Sequence, residues 1–245
     1  MSTRAAEKLA LICDCDGVLI DSESAAGAML LHELEARWPG LDVASVLIPL
    51  LGLRTEHVLE ATASALGKTL TRAEIETIHG TVQAAAIKAP MVGGVDTALA
   101  NIPLMKACAS NSFSDYVRTV LDRTGLIRFF PGRYFTADMV LNPKPEPDVY
   151  LLAARCLAVD PAHCLVVEDS VAGATAAVAA GMTVLGFAGG AHEPEAQGKK
   201  LRGAGAVRVF YDMKQLPDLA ERWIEELGFT RPFSAAEKGD LPWQA

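Results

Sequence analysis

Apolar positions in this chain follow two rhythms, and the points where one replaces the other mark its organisation. The run Leu9-Ala10-Leu11-Ile12-Cys13 is apolar without alternation, the pattern of a strand buried on both faces of a parallel sheet. After Gly17 helical spacing takes over. Ser22 is a candidate N-cap with Glu23 in the first turn, and Ala26, Met29, Leu30, Leu34 and Trp38 follow at helical spacing. Pro39-Gly40 ends that helix. Further helices are predicted over about 55–66, closed by Gly67, and 71–88, opened by a Thr71-x-x-Glu74 capping box. Residues 22–88 contain no convincing strand.

Beyond Pro90 strands and helices alternate. Strands are predicted over 104–109, 133–136, 164–167, 183–187 and, at an edge, 207–210. Helices are predicted up to Asn101, over 113–124, 147–157 and 171–180, and around Leu216, Leu219, Ala220, Trp223, Ile224 and Leu227. Repeated strand–helix units predict an α/β fold, a doubly wound parallel sheet with helices on both sides. An all-helical insert interrupts it after the first strand. The expected division is a core of 1–20 and 91–232, a helical cap of 21–90, and a polar, loose tail of 233–245. Asp21-Ser22 and 90–94 would form a two-stranded hinge between cap and core.

Composition narrows the partners. A formal charge of −8 disfavours nucleic acid, whose phosphate backbone needs clustered Lys and Arg. No apolar run reaches the length of a membrane span, and MSTRAAEKLA carries no signal-peptide core. A soluble, cytoplasmic protein is expected, a monomer or weak homodimer. Five cysteines, Cys13, Cys15, Cys108, Cys156 and Cys164, are odd in number and mostly within apolar runs, as reduced, packed thiols would be.

In such sheets ligands sit at the carboxyl ends of the strands. Those ends carry Asp14 and Asp16, then Ser110 and Asn111, then Asn142-Pro143-Lys144-Pro145, then Glu168, Asp169 and Ser170. Clustered carboxylates repel one another unless a cation lies between them, and an oxygen-rich set suits Mg²⁺. An ordinary Asp/Gly turn would explain the first pair alone. Ser110-Asn111 precedes a predicted helix, where either an anion or a plain N-cap is accommodated. Lys144, between two prolines, is held in few orientations. His57, His79 and His192 read as surface or packing residues.

Asp14-x-Asp16-Gly17-x-x-x-Asp21-Ser22, Ser110-Asn111, Lys144-Pro145-x-Pro147-Asp148 and Glu168-Asp169-Ser170 resemble, in order, the four motifs of the haloacid dehalogenase superfamily. The likeness covers about 9–192 and is to the phosphatase and phosphomutase branch, with a Rossmann-like core and a helical cap. It implies Asp14 as a nucleophile that forms an aspartyl-phosphate and Asp16 as general acid, then base. It implies phosphoryl binding by Ser110 and Lys144 with Asn111 beside them. Mg²⁺ would be held by Asp14, the Asp16 carbonyl and Asp169, with Glu168 an indirect or variable ligand. An acid at Asp16 favours an oxygen leaving group over a halide. The mutases resembled carry Thr and His where this chain has Ser22 and Ala26, so a phosphatase of a small phosphorylated metabolite, a sugar or sugar-acid phosphate, is expected. A sugar phosphomutase is the alternative, and a non-catalytic phosphosugar binder would need a broken Asp14 or Asp16. Arg54 and Ser22 are the cap-side candidates for substrate contact.

Overall fold

The computed structural model describes residues 8–51 and 55–229. Six parallel strands form one sheet in the order β3-β2-β1-β4-β5-β6. They are β1 (Ala10–Cys13), β2 (Met105–Ala109), β3 (Tyr134–Phe135), β4 (Cys164–Glu168), β5 (Thr183–Phe187) and β6 (Arg208–Phe210). The order reverses between β1 and β4, so the crevice for a ligand opens at their carboxyl ends. Ala10 is in register with Met105 on one side and Cys164 on the other. The Asp14 N–H carries this pairing one residue further, donating to the Val167 carbonyl at 3.0 Å.

The unbroken apolar run of β1 is explained by the two layers it separates. Leu11 and Cys13 enter one core, with Val117, Leu121, Leu165, Val167 and Trp223. Ala10 and Ile12 enter the other, with Ala107, Tyr150, Ala153, Val166 and Ala177. Alternate side chains thus face opposite layers, each of them apolar.

Between β1 and β2 lie α1 (Ser22–Arg37), α2 (Val43–Leu47), α3 (Thr55–Ala65), α4 (Arg72–Lys88) and α5 (Val95–Asn101). The first four bury a core of their own around Leu30, Leu34, Leu47, Leu59 and Ile78. The Thr71–Glu74 capping box forms as the sequence predicts. The two connections to the sheet run side by side. Asp21 N–H donates to the Pro90 carbonyl at 2.9 Å, and Val92 N–H to the Leu19 carbonyl at 3.0 Å.

After β2 come α6 (Ser114–Thr124), α7 (Asp148–Leu157), α8 (Val171–Ala179), α9 (Pro194–Gly203) and α10 (Leu216–Glu226). Three local expectations change. Ser22 is the first helical residue of α1 rather than its cap, and the preceding Asp21 makes no side-chain cap bond. Ser110 and Asn111 precede α6 as expected, but neither caps it; the helix starts one residue later than predicted, with Phe113 at its cap. Two helices are added, α2 and α9. The first has only five residues, too few for a period to show. The second has a polar sequence, yet Pro194, Glu195 and the basic Lys200 and Arg202 at its end are helix signals. Arg54 and the tail expected over 233–245 lie outside the described residues.

Leu34 is fully buried within the helical insert. Leu34→Ala should destabilise the protein by about 2–5 kcal/mol, measured by urea unfolding. A loss below ~1 kcal/mol would show that the insert closes over the vacated volume.

Candidate active site

The carboxyl ends of β1, β2 and β4 converge on Lys144. Its Nζ donates to Asp14 Oδ1 at 2.6 Å, Glu168 Oε1 at 2.6 Å and the Ala109 carbonyl at 2.9 Å. The ammonium also stands 4.9 Å from the centre of the Tyr150 ring. Lys144, Asp14 and Glu168 are all buried. Burial alone would discharge the lysine; Asp14 and Glu168 outweigh it and hold its pKa well above the usual value.

Asn111 sets the backbone of this lysine. Its side-chain amide donates to the Lys144 carbonyl at 2.9 Å, and its amide oxygen accepts from the Lys144 N–H at 2.8 Å. The Asn111 side chain, expected beside phosphate, therefore clamps the loop that carries the lysine. Glu168 is equally committed. Oε1 also accepts from the Tyr150 hydroxyl at 2.7 Å, and Oε2 from the Ser170 N–H and hydroxyl at 3.1 and 2.9 Å. Gly173 is what lets α8 come this close. A Cβ there would meet Glu168 Oε1 at 1.7 Å.

Asp169 faces Gly17 across the crevice. Gly17 adopts φ +77°, and a Cβ on it would lie 1.8 Å from Asp169 Oδ2. Both the turn and the close approach exclude any other residue. The Asp169 carbonyl accepts from the Gln197 side chain of α9 at 2.5 Å. Ser110 is buried; its N–H donates to the Phe135 carbonyl at 2.9 Å, and its Oγ accepts from the Ser112 N–H at 3.0 Å.

Asp16 points elsewhere. Its two carboxylate oxygens accept from the Tyr116 hydroxyl at 2.6 Å and the Ser112 hydroxyl at 2.8 Å. Burial and the neighbouring Asp16 keep the Tyr116 phenol far above its ordinary pKa, so it stays a donor. The buried Ser22 of α1 interacts with the same phenol.

Asp14, Glu168 and Asp169 each offer a carboxylate oxygen, and these lie within 4.8 Å of one another. One lysine opposes them. Burial, with Glu168 and Asp16 adding to it against Lys144, pushes Asp14 up to about 8. Burial and the nearby Asp14 and Glu168 carboxylates likewise raise Asp169 well above the carboxylate range. A buried, under-neutralised oxygen cluster of this kind fits a hard divalent cation. With Glu168 already bonded to Lys144, Tyr150 and Ser170, Asp14 and Asp169 are the carboxylates best placed to hold it.

A cavity of about 580 Å³ opens beside Asp169. Gly17, Asp169 and His192 line its core side, and Glu23, Leu30, Leu51 and Val58 its insert side. His192, read from sequence as a surface or packing residue, forms part of this wall. Tyr116, Ser112, Tyr150 and Gln197 were absent from the sequence reading of the site. Only Ser112 had a local signal, its place one residue beyond Ser110-Asn111.

These features define an α/β protein with an acidic centre at a sheet switch point, roofed by a helical insert. The chain belongs to the haloacid dehalogenase-like hydrolases, whose family model matches residues 9–181. It is 26% identical over 212 residues to the 6-phosphogluconate phosphatase of Escherichia coli (strain K12), covering 86% of this chain and 93% of that one. The fructose-1-phosphate phosphatase YqaB of the same organism is 29% identical over 177 residues, 70% of this chain and 92% of its own. Among solved structures, a HAD family hydrolase from Deinococcus radiodurans R1 with bound phosphate and sodium superposes with a TM-score of 0.76. It shares 28% identity and covers 89% of this chain and 97% of its own.

Raised carboxylate pKa values give a signed expectation for the metal-free protein. Asp14 and Asp169 hold more protons folded than unfolded from about pH 4 up to about 8 for Asp14. Their contribution to stability is fully present below that window and is lost as pH rises through it. Mg²⁺ should therefore raise the thermal midpoint more at pH 8 than at pH 5. Equal increments at the two values, in differential scanning fluorimetry, would contradict this account of the cluster.

Proposed function

We propose that this protein is a Mg²⁺-dependent phosphatase that hydrolyses a small phosphorylated sugar or sugar acid through an aspartyl-phosphate on Asp14. The observation that carries the reading is the separation of two carboxylates two residues apart. Asp14 is bound to Lys144 among the acidic cluster, whereas Asp16 is held apart by two neutral hydroxyl donors. This difference supports Asp14 as the residue that attacks and Asp16 as the one that manages a proton.

In the first step an Asp14 oxygen bonds to phosphorus as the bond to the leaving oxygen breaks. Asp16 gives its proton to that oxygen, and the alcohol departs. In the second step Asp16 takes a proton from water as the water oxygen attacks phosphorus, which frees phosphate and regenerates Asp14. Lys144, with Ser110, neutralises and positions the transferring group. Bound at Asp14, Asp169 and the Asp16 carbonyl, Mg²⁺ would supply charge neutralisation at the phosphoryl oxygens.

Substrate size follows from the cavity, whose volume of about 580 Å³ suits a small metabolite. The sugar phosphate class is supported by the relatives named for 6-phosphogluconate and fructose 1-phosphate. Asp16 itself supports an oxygen leaving group, since its use is to protonate one.

Phosphate release should be seen from members of a sugar phosphate panel with Mg²⁺, and be lost with chelator. Asp14→Asn should remove turnover by roughly four orders of magnitude or more while leaving the circular dichroism spectrum intact. Retained turnover would sink the assigned nucleophile. Interconversion of glucose 1- and 6-phosphates without net phosphate release would turn the reading to a mutase.

A further inference from the structure

Asp16 is the one acidic residue of the site whose partners are all neutral hydroxyls. The Tyr116 hydroxyl reaches one carboxylate oxygen at 2.6 Å and the Ser112 hydroxyl reaches the other at 2.8 Å. The two donors come from different positions, Ser112 from the loop after β2 and Tyr116 from the first turn of α6. Each oxygen having its own donor fixes the plane of the carboxyl group as well as its direction. A single bond would leave it free to rotate.

The support behind these donors is also built. Ser112 is anchored by its N–H to Ser110 Oγ at 3.0 Å. Arg123 at the far end of α6 donates to the carbonyls of Ile87 and Ala89, at the end of α4 and just beyond it. The Tyr116 phenol meets Ser22, the first residue of α1. The helix that carries the phenol is therefore bonded to the end of α4, next to one connection of the insert, and its phenol neighbours Ser22 at the other.

We infer that Ser112 and Tyr116 form a hydroxyl clamp that positions Asp16 for proton delivery to the leaving oxygen. They are positioning residues, acting through Asp16 and not on phosphorus. The inference rests on the reading of Asp16 as general acid. Its consequence is selective. Misplacing the acid harms a leaving group that needs a proton and spares one that departs as a stable anion.

The test measures kcat/KM for 4-nitrophenyl phosphate, phenyl phosphate and glucose 6-phosphate with the Mg²⁺-loaded full chain. This parameter reports steps up to loss of the leaving group, so hydrolysis of the aspartyl-phosphate, common to all three, drops out. For Tyr116→Phe, kcat/KM should fall roughly 10- to 100-fold with phenyl phosphate and glucose 6-phosphate. With 4-nitrophenyl phosphate it should fall no more than about threefold, a small effect on the same scale. Ser112→Ala should move in the same direction, and it carries the comparison if Tyr116→Phe does not fold. An equal fall on all three substrates would reduce the pair to a structural role and overturn the clamp, as would no fall on any. Asp16→Ala separates the two layers of the argument. If it too affects all three substrates equally, the acid role of Asp16 fails and the clamp with it. If it is selective and the hydroxyl variants are not, the clamp alone fails.

Discussion

A lysine ammonium buried between two carboxylates sets the conditions for everything around it. Taking such charges out of water is costly, and their attraction offsets the cost only with good geometry and full hydrogen bonding. Here Lys144 has three acceptors, and the Glu168 oxygens are shared among Lys144, Tyr150 and Ser170. Each neighbouring feature serves that requirement. Asn111 fixes the backbone from which the lysine extends, and Gly173 lets α8 pack without displacing Glu168. Removing any one partner would strand a buried charge, so the arrangement has few tolerated substitutions.

That constraint shapes the sheet as well as the site. Asp14 can meet Lys144 only because the β1 backbone continues its pairing with β4 through the Asp14 N–H. The lysine in turn arrives on the long connection from β3 to α7, and it reaches Ala109 at the end of β2. Three strand ends are thus joined through one side chain. The helical insert is attached at the same end, by two connections that hydrogen-bond to each other. Its interior is self-contained, which is what an element needs if it is to move over a rigid centre.

The sheet and the charged centre could be read from sequence for a common reason. Strands buried on both faces must be continuously apolar, and the charged residues that end them stand out by contrast, as Asp14 does after Leu9–Cys13 and Glu168-Asp169 after Cys164–Val167. Spacing then ordered them into recognisable motifs. Tyr150, Tyr116 and Gln197 could not be found that way. Each lies inside a helix, where its residue type fits an ordinary amphipathic face, and its partner is distant in the chain. The Tyr116–Asp16 bond spans 100 residues and the Gln197–Asp169 bond 28. Local pattern placed Ser110-Asn111 ahead of a helix over 113–124, close to the observed α6, but could not show the tertiary tie between Asn111 and Lys144.

Two residues of sequence separate Asp14 from Asp16, yet the fold gives them unlike surroundings. The Gly17 turn makes this possible, since its positive φ swings the chain away from the strand axis directly after Asp16. Asp14 remains on the strand line, facing a cation, and Asp16 leaves it to meet neutral donors on α6 and its preceding loop. Asp14 stands beside the buried Lys144 in an acidic cluster that raises its pKa, whereas Asp16 is bonded by neutral hydroxyls. The unlike surroundings thus come from the different bonding partners that the fold brings to two otherwise identical side chains.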